Sequence, residues 1–144
     1  MTINFKQVLN LQKKIKDNIR WTETSFSESM SEKTGSKIFI KYENRQHTGA
    51  FKIRGSYAKL LSLTDKEKTN GVIAMSAGNH AQGLAYASNK MNILSHIVMP
   101  NGTPFTKIRR TKNFGGNVIL KGDTLKDSYK YVQTLIKKNN YIEI

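Results

Sequence analysis

The lysine at position 52 stands where a predicted strand gives way to a predicted helix. Residues 38–42 are rich in β-branched and aromatic side chains, which is typical of a strand, and Thr48-Gly49 breaks that run. Four residues then share one helical face: Ile53, Tyr57, Leu60 and Leu61. A lysine at the positive end of a helix macrodipole can act as a nucleophile. By residue type alone, Lys52 fits a solvated surface lysine as well.

A second stretch with chemical potential reads Ser76-Ala77-Gly78-Asn79-His80-Ala81-Gln82-Gly83. It joins a short apolar strand, Val72 to Met75, to a helix predicted from Asn79 to Lys90. Main-chain amides at such a strand-to-helix turn favour an anion, for example a carboxylate, without any side chain. Judged from the residues alone, a plain loop capped by Ser76 or Asn79 fits equally well. His80 by itself fits a packing or capping histidine better than an acid–base residue.

The elements that must position these residues alternate between strand and helix from Val72 onward. Three further strands are predicted, over residues 93–99, 117–120 and 141–144. A helix is predicted to start at Pro104 with Thr103 as its N-cap. A second helix is predicted after Asp123 or Thr124 as its cap, and its apolar face consists of Leu125, Tyr129, Val132 and Ile136. Residues 5–19 predict an amphipathic helix, and residues 65–71 a polar loop ending in an Asn-Gly turn. This order predicts an α/β fold with a mainly parallel sheet.

Composition narrows the classes of function. The net charge of +14 arises from 24 Lys and Arg against 10 Asp and Glu, but no block of five or more basic residues occurs, which disfavours a dedicated nucleic-acid face. Cysteine is absent, and the scattered His47, His80 and His96 make a poor ligand set, so we expect no metal. No apolar run reaches the roughly 20 residues of a membrane helix, and residues 1–20 lack a signal-peptide core, so we expect a cytoplasmic protein without a membrane partner.

Two long motifs carry a family resemblance. The pattern Glu43-x-x-Gln46-x-Thr48-Gly49-Ala50-Phe51-Lys52-x-Arg54-Gly55 resembles the cofactor-lysine segment of the fold-type II pyridoxal-phosphate enzymes, in the branch of threonine/serine dehydratases and serine racemases. Residues 76–83 are similar to that family's substrate-carboxylate loop. A third unit matches the next strand, loop and helix of the family: Val98-Met99-Pro100, Pro104, Lys107, Arg110 and Gly115-Gly116.

The resemblance implies roles for individual residues. Lys52 would hold pyridoxal 5'-phosphate covalently and remove the Cα proton of the substrate, Phe51 would pack on the cofactor ring, and Asn79 would hydrogen-bond its phenolic oxygen. The amino-acid substrate would be bound through its carboxylate by Ser76, Ala77, Gly78, Asn79 and His80. Serine racemases have a second serine where this chain has Ala77. The resemblance therefore favours a dehydratase that converts threonine or serine to a 2-oxo acid and ammonia.

The resemblance also implies a domain plan. Residues 49–144 would form a three-layer small α/β domain, and residues 1–48 an N-terminal arm that belongs to the large domain. The family's phosphate-binding glycine-rich loop has no counterpart here, so we expect a form truncated before the large domain is complete, weakly active or inactive alone, with a separate C-terminal half or a second copy as partner. Two other interpretations stay open: a non-catalytic amino-acid-binding remnant and, less favoured, a basic nucleic-acid-binding module.

Overall fold

The computed structural model describes residues 3–144, which divide into two compact units, one ending at Phe51 and one spanning Lys52–Ile144. The sequence placed this boundary three residues earlier, between residues 48 and 49. Each unit has its own short sheet.

The first unit is an arm of short elements: helix α1 (Phe5–Ile15), strand β1 (Thr24–Phe26), helix α2 (Glu28–Thr34) and strand β2 (Phe39–Lys41). Strands β1 and β2 pair antiparallel, with Thr24 opposite Lys41. Helix α1 begins with a reciprocal capping box between Asn4 and Gln7. It ends four residues before the predicted Ile19, because Lys16–Asn18 tighten into a 3₁₀ turn after the buried Ile15.

The second unit alternates helices and strands. Its elements are α3 (Lys52–Leu61), α4 (Asp65–Asn70), β3 (Val72–Met75), α5 (Asn79–Lys90), β4 (Ser95–Met99), α6 (Phe105–Asn113), β5 (Asn117–Leu120), α7 (Leu125–Asn139) and β6 (Ile142–Glu143). The four strands pair in the order β5-β4-β3-β6, and every pair is parallel. The predicted parallel sheet is thus confirmed, and β3 and α5 have the predicted bounds.

Helices cover both faces of this sheet. On one face, Ile73 and Val98 are fully buried and pack with Val132 of α7. Because side chains alternate along a strand, the fully buried Val72 and Ile97 point to the opposite face, where α5 packs on β4 and α3 packs on α5. The second unit therefore has the three-layer α/β architecture that the sequence predicted.

Several local predictions were wrong. Residues 65–70 form helix α4 instead of a loop, since Thr64 and Glu67 make a capping box. The N-cap of α6 is Pro104 and not Thr103. Three residues predicted to share an apolar helix face are 40–56% exposed: Leu61, Leu125 and Tyr129. On α7 the inner face is rotated, so that Ser128 and Val132 are its buried residues, and Thr124 is its N-cap.

Within residues 3–144, no helix is both long and apolar enough to cross a membrane.

Candidate active site

Lys52 is the first residue of α3 and is exposed. The segment that leads to it is anchored inside the first unit by Gln46, which is 3% exposed. The Gln46 amide accepts from the Arg20 main-chain N–H at 2.8 Å and donates to the Arg20 carbonyl at 3.0 Å, and the Thr22 hydroxyl donates to the Glu43 carboxylate. These bonds fix the path of the chain shortly before the lysine. Gln46 and Thr22 were not singled out as anchors from the sequence, because their partners are more than 20 residues away.

The loop of residues 76–80, here called the carboxylate loop, follows β3 and leads into α5. The first amide of the loop continues the hydrogen bonding between β3 and β4, because the Ser76 N–H donates to the Val98 carbonyl at 3.2 Å. The Ser76 hydroxyl accepts from the Ala81 N–H at 3.1 Å and, more weakly, from the Gly78 N–H at 3.4 Å. Ser76 therefore shapes the loop from inside, while the N-cap position of α5 is Gly78.

Three amides of this loop remain unused. Within residues 3–144, the main-chain N–H groups of Ala77, Asn79 and His80 have no acceptor, and no side chain caps α5 at Gly78. Unsatisfied amides at the N-terminus of a 12-residue helix carry partial positive charge and attract an anion. The geometry fits a carboxylate held by the main chain.

Gly83 brings the lysine and this loop together. A Cβ built on Gly83 would lie 3.0 Å from the Lys52 carbonyl carbon and 3.0 Å from the Ile53 nitrogen. The main chain of Lys52 thus packs directly on α5. Asn79 lies one helical turn before Gly83 on the same helix face, a separation of about 6 Å. The start of α3 is therefore fixed within about one turn of the carboxylate loop.

The sheet topology also selects this location. The chain proceeds from β3 to β4 to β5 in one direction and then returns to place β6 on the other side of β3. In open α/β sheets, ligands bind outside the carboxyl ends of the strands at such a switch of direction. The carboxylate loop begins at the carboxyl end of β3, at this switch point.

His80 ties the loop to the last strand. Its Nε2 lies 3.2 Å from the Ile144 carbonyl oxygen, so Nε2 carries the proton and donates. This contact holds the loop against the end of β6. Of the other predicted residues, Asn79 is exposed, Ala77 and Gly78 are half-buried, and Phe51, the last residue of the first unit, is 58% exposed.

A buried tyrosine lies on α3, the helix that carries the lysine. Tyr57 is 1% exposed, and its burial, together with the nearby Tyr86, raises the pKa of the phenol to about 12. The phenol therefore stays neutral at physiological pH.

No group of three His, Cys, Asp or Glu residues in the described part of the chain is arranged to hold a metal ion.

Comparison with known proteins gives these positions a family context. The chain is 39% identical to the L-threonine ammonia-lyase of Thermotoga maritima over 140 residues and 37% identical to the catabolic L-threonine dehydratase of Escherichia coli K12 over 144 residues. It spans 35% and 44% of the lengths of these relatives and 97% and 100% of its own. Maize serine racemase superposes with a TM-score of 0.91 at 28% identity, over the whole chain and 44% of that protein.

The family model described as "Pyridoxal-phosphate dependent enzyme" matches residues 15–144, which include both the lysine and the carboxylate loop. The all-parallel sheet with helices on both faces agrees with the solved relative. The chain therefore belongs to the family of pyridoxal-phosphate-dependent enzymes.

Proposed function

We propose that this chain carries the cofactor lysine and the substrate-carboxylate loop of an ammonia-lyase that deaminates threonine, with serine as the alternative substrate. The observation that supports this most directly is the packing of the Lys52 main chain on Gly83, one helical turn from the unused amides of the carboxylate loop. The two named lyase relatives, at 37% and 39% identity, favour the same chemistry.

The residues fit the cofactor that the family uses. Lys52 is exposed at a helix start, where an aldehyde can reach its amine, and Gly83 lets the Lys52 main chain pack closely on α5. When bound, pyridoxal phosphate supplies an electron sink for the negative charge that develops at the substrate Cα. We propose that the cofactor phosphate is held by residues outside this sequence, since the relatives are more than twice as long.

Each proposed role follows from a position in the fold. The Lys52 amine holds the cofactor and then takes the proton from the substrate Cα. The amides of Ala77, Asn79 and His80 bind the substrate carboxylate and orient the amino acid. The Asn79 side chain, exposed in the same turn, hydrogen-bonds the cofactor's phenolic oxygen, and Phe51, next to Lys52 in the chain, packs on its ring. His80 positions the loop through Ile144.

Ala77 supports a lyase over a racemase. A racemase needs a second proton donor that acts on the opposite face of the substrate Cα. The Ala77 methyl group has no proton to give. Proton removal at Cα is then followed by breakage of the Cβ–oxygen bond, with the hydroxyl leaving as water, and hydrolysis releases a 2-oxo acid and ammonia.

The test is covalent capture of the cofactor. The purified chain is incubated with pyridoxal phosphate, treated with borohydride and digested, and the modified peptide is identified by mass spectrometry. We expect one stoichiometric adduct at Lys52, which is lost in Lys52→Ala and kept in Lys59→Ala, a change of an exposed lysine on the same helix.

Adducts spread evenly over several lysines in both wild type and Lys52→Ala would refute the proposed role. Saturable binding of threonine by the chain without any Lys52 adduct would instead support the interpretation as a non-catalytic amino-acid-binding protein.

A further inference from the structure

An open pocket of about 570 Å³ lies in the second unit, far along the sheet from the carboxylate loop. It is lined by Lys66, Asn70, Ile136, Lys137, Asn140, Tyr141 and Ile142. Ile142 begins β6, which runs parallel to β3, so the pocket is at the amino ends of these strands and the carboxylate loop is at their carboxyl ends. Its volume suits a small organic ligand. We call it the α4–α7 pocket.

The floor of this pocket is pre-formed. The Tyr141 ring stacks on the ring of His96, which is 8% exposed, with 4.4 Å between their centroids. The Ile142 N–H donates to the Gly71 carbonyl at 3.0 Å, and the Asn140 N–H donates to the Ile136 carbonyl at 2.8 Å. A ligand would therefore meet walls that are already ordered, which lowers the entropic cost of binding.

The charges of the pocket favour an anion. Lys66 and Lys137 are its only charged lining residues, and neither ammonium group has an ion pair or hydrogen bond within residues 3–144. Lys137 can be explained as a cation at the C-terminal end of α7, where it balances the helix dipole. Lys66 cannot, because it lies in the first turn of α4, where a positive charge is unfavourable.

The pocket carries excess positive charge. Two ammonium groups contribute two positive charges, and the C-terminal end of α7 offsets about half a charge. The remaining positive charge favours an anion, and the apolar side chains of the lining favour an anion with a hydrocarbon part over phosphate. The amides of Asn70 and Asn140 offer further donors beside it.

We propose that the α4–α7 pocket binds a small organic monoanion, a carboxylate attached to a short hydrocarbon chain. The carboxylate lies between Lys66 and Lys137, and the hydrocarbon chain packs on Ile136, Tyr141 and Ile142. The site uses no residue of the proposed lyase machinery, so the two proposals stand or fall separately.

The test is a nuclear magnetic resonance titration of the ¹⁵N-labelled chain with butyrate at constant ionic strength. We expect saturable shifts of the amides of residues 70–71 and 140–142. Lys66→Ala and Lys137→Ala should each weaken binding about 1.5- to fivefold, the range for an exposed ion pair. Acetate should bind more weakly than butyrate because it lacks the hydrocarbon chain, and butylammonium should not bind.

Two neighbouring lysines provide matched controls. Lys138 follows Lys137 on α7 but does not line the pocket, and Lys68 pairs with Asp65 at 3.1 Å. Lys138→Ala and Lys68→Ala should bind butyrate with the wild-type affinity, and so should Lys52→Ala. The proposal is overturned if no shift saturates, if butylammonium or phosphate binds more tightly than butyrate, or if Lys66→Ala and Lys137→Ala keep the wild-type affinity.

Discussion

His96 should make the stability of this chain depend on pH between 6.5 and 5.5. The ring is 8% exposed, and burial lowers the pKa of its imidazole below the ordinary value of 6.5. Its Nδ1 accepts from the Asn117 amide at 2.9 Å, and its Nε2 is buried without a partner in the described part of the chain. The folded state therefore holds the neutral ring, and a proton would add a charge and turn Nδ1 into a donor that faces another donor.

The sign and size of the effect follow from proton linkage. Because the pKa is lower in the folded state, the unfolded state binds the proton first, so stability is present above pH 6.5 and is lost as the pH falls. Protonation of an unfolded histidine is worth about 0.4 kcal/mol at pH 6.5 and about 1.4 kcal/mol at pH 5.5. If the folded ring stays neutral over this window, the free energy of unfolding falls by up to about 1 kcal/mol.

Urea unfolding followed by far-ultraviolet circular dichroism at the two pH values measures this loss. His96→Asn keeps an acceptor near the Nδ1 position and cannot titrate, so its free energy of unfolding should fall by up to about 1 kcal/mol less than that of the wild type over the same window. His47 and His80 are present in both proteins, and their contributions cancel. Equal losses in wild type and His96→Asn would refute the reasoning.

Three further predictions concern packing and capping, each measured by urea unfolding at pH 7.5. Gly122→Ala should destabilise the fold by about 2 kcal/mol or more, because Gly122 has a φ of +88° and a Cβ there would lie 2.7 Å from the Ser128 nitrogen. Leu84→Ala should cost about 2–5 kcal/mol, since Leu84 is fully buried on α5. Thr64→Ala should lower the free energy of unfolding by about 1 kcal/mol, because it removes the cap of α4. An unchanged unfolding midpoint in any of these variants would contradict the corresponding prediction.

Local patterns predicted most of the second unit. The bounds of β3 and α5 follow from an apolar run of four residues and a helical run that begins at Asn79. The Asn-Gly pair predicts a turn at the end of residues 65–71, but the capping box of Thr64 and Glu67 at the other end of the segment starts helix α4. The outward position of Leu125 and Tyr129 was missed because α7 has apolar residues on more than one face.

Features that depend on distant residues could not be predicted. Strand order is one of them, because nothing local to residues 141–144 indicates that β6 pairs with β3 instead of β5. The contact of Gly83 with Lys52 is another, since it joins two helices 31 positions apart in the sequence. Which amides the Ser76 hydroxyl binds, and which stay unused, depends on the path of the whole loop.

Lys52 and the carboxylate loop of the proposed lyase site lie inside one unit. Lys52 is positioned by α5 through Gly83, and the carboxylate loop is positioned by β3 and by the Ile144 carbonyl. Both anchors belong to residues 52–144, so contacts inside this unit place the Lys52 main chain beside the carboxylate loop. Cofactor capture at Lys52 therefore reports on this unit, while turnover additionally requires an anchor for the phosphate. We therefore expect residues 1–144 alone to form the Lys52 adduct but to release no ammonia from threonine.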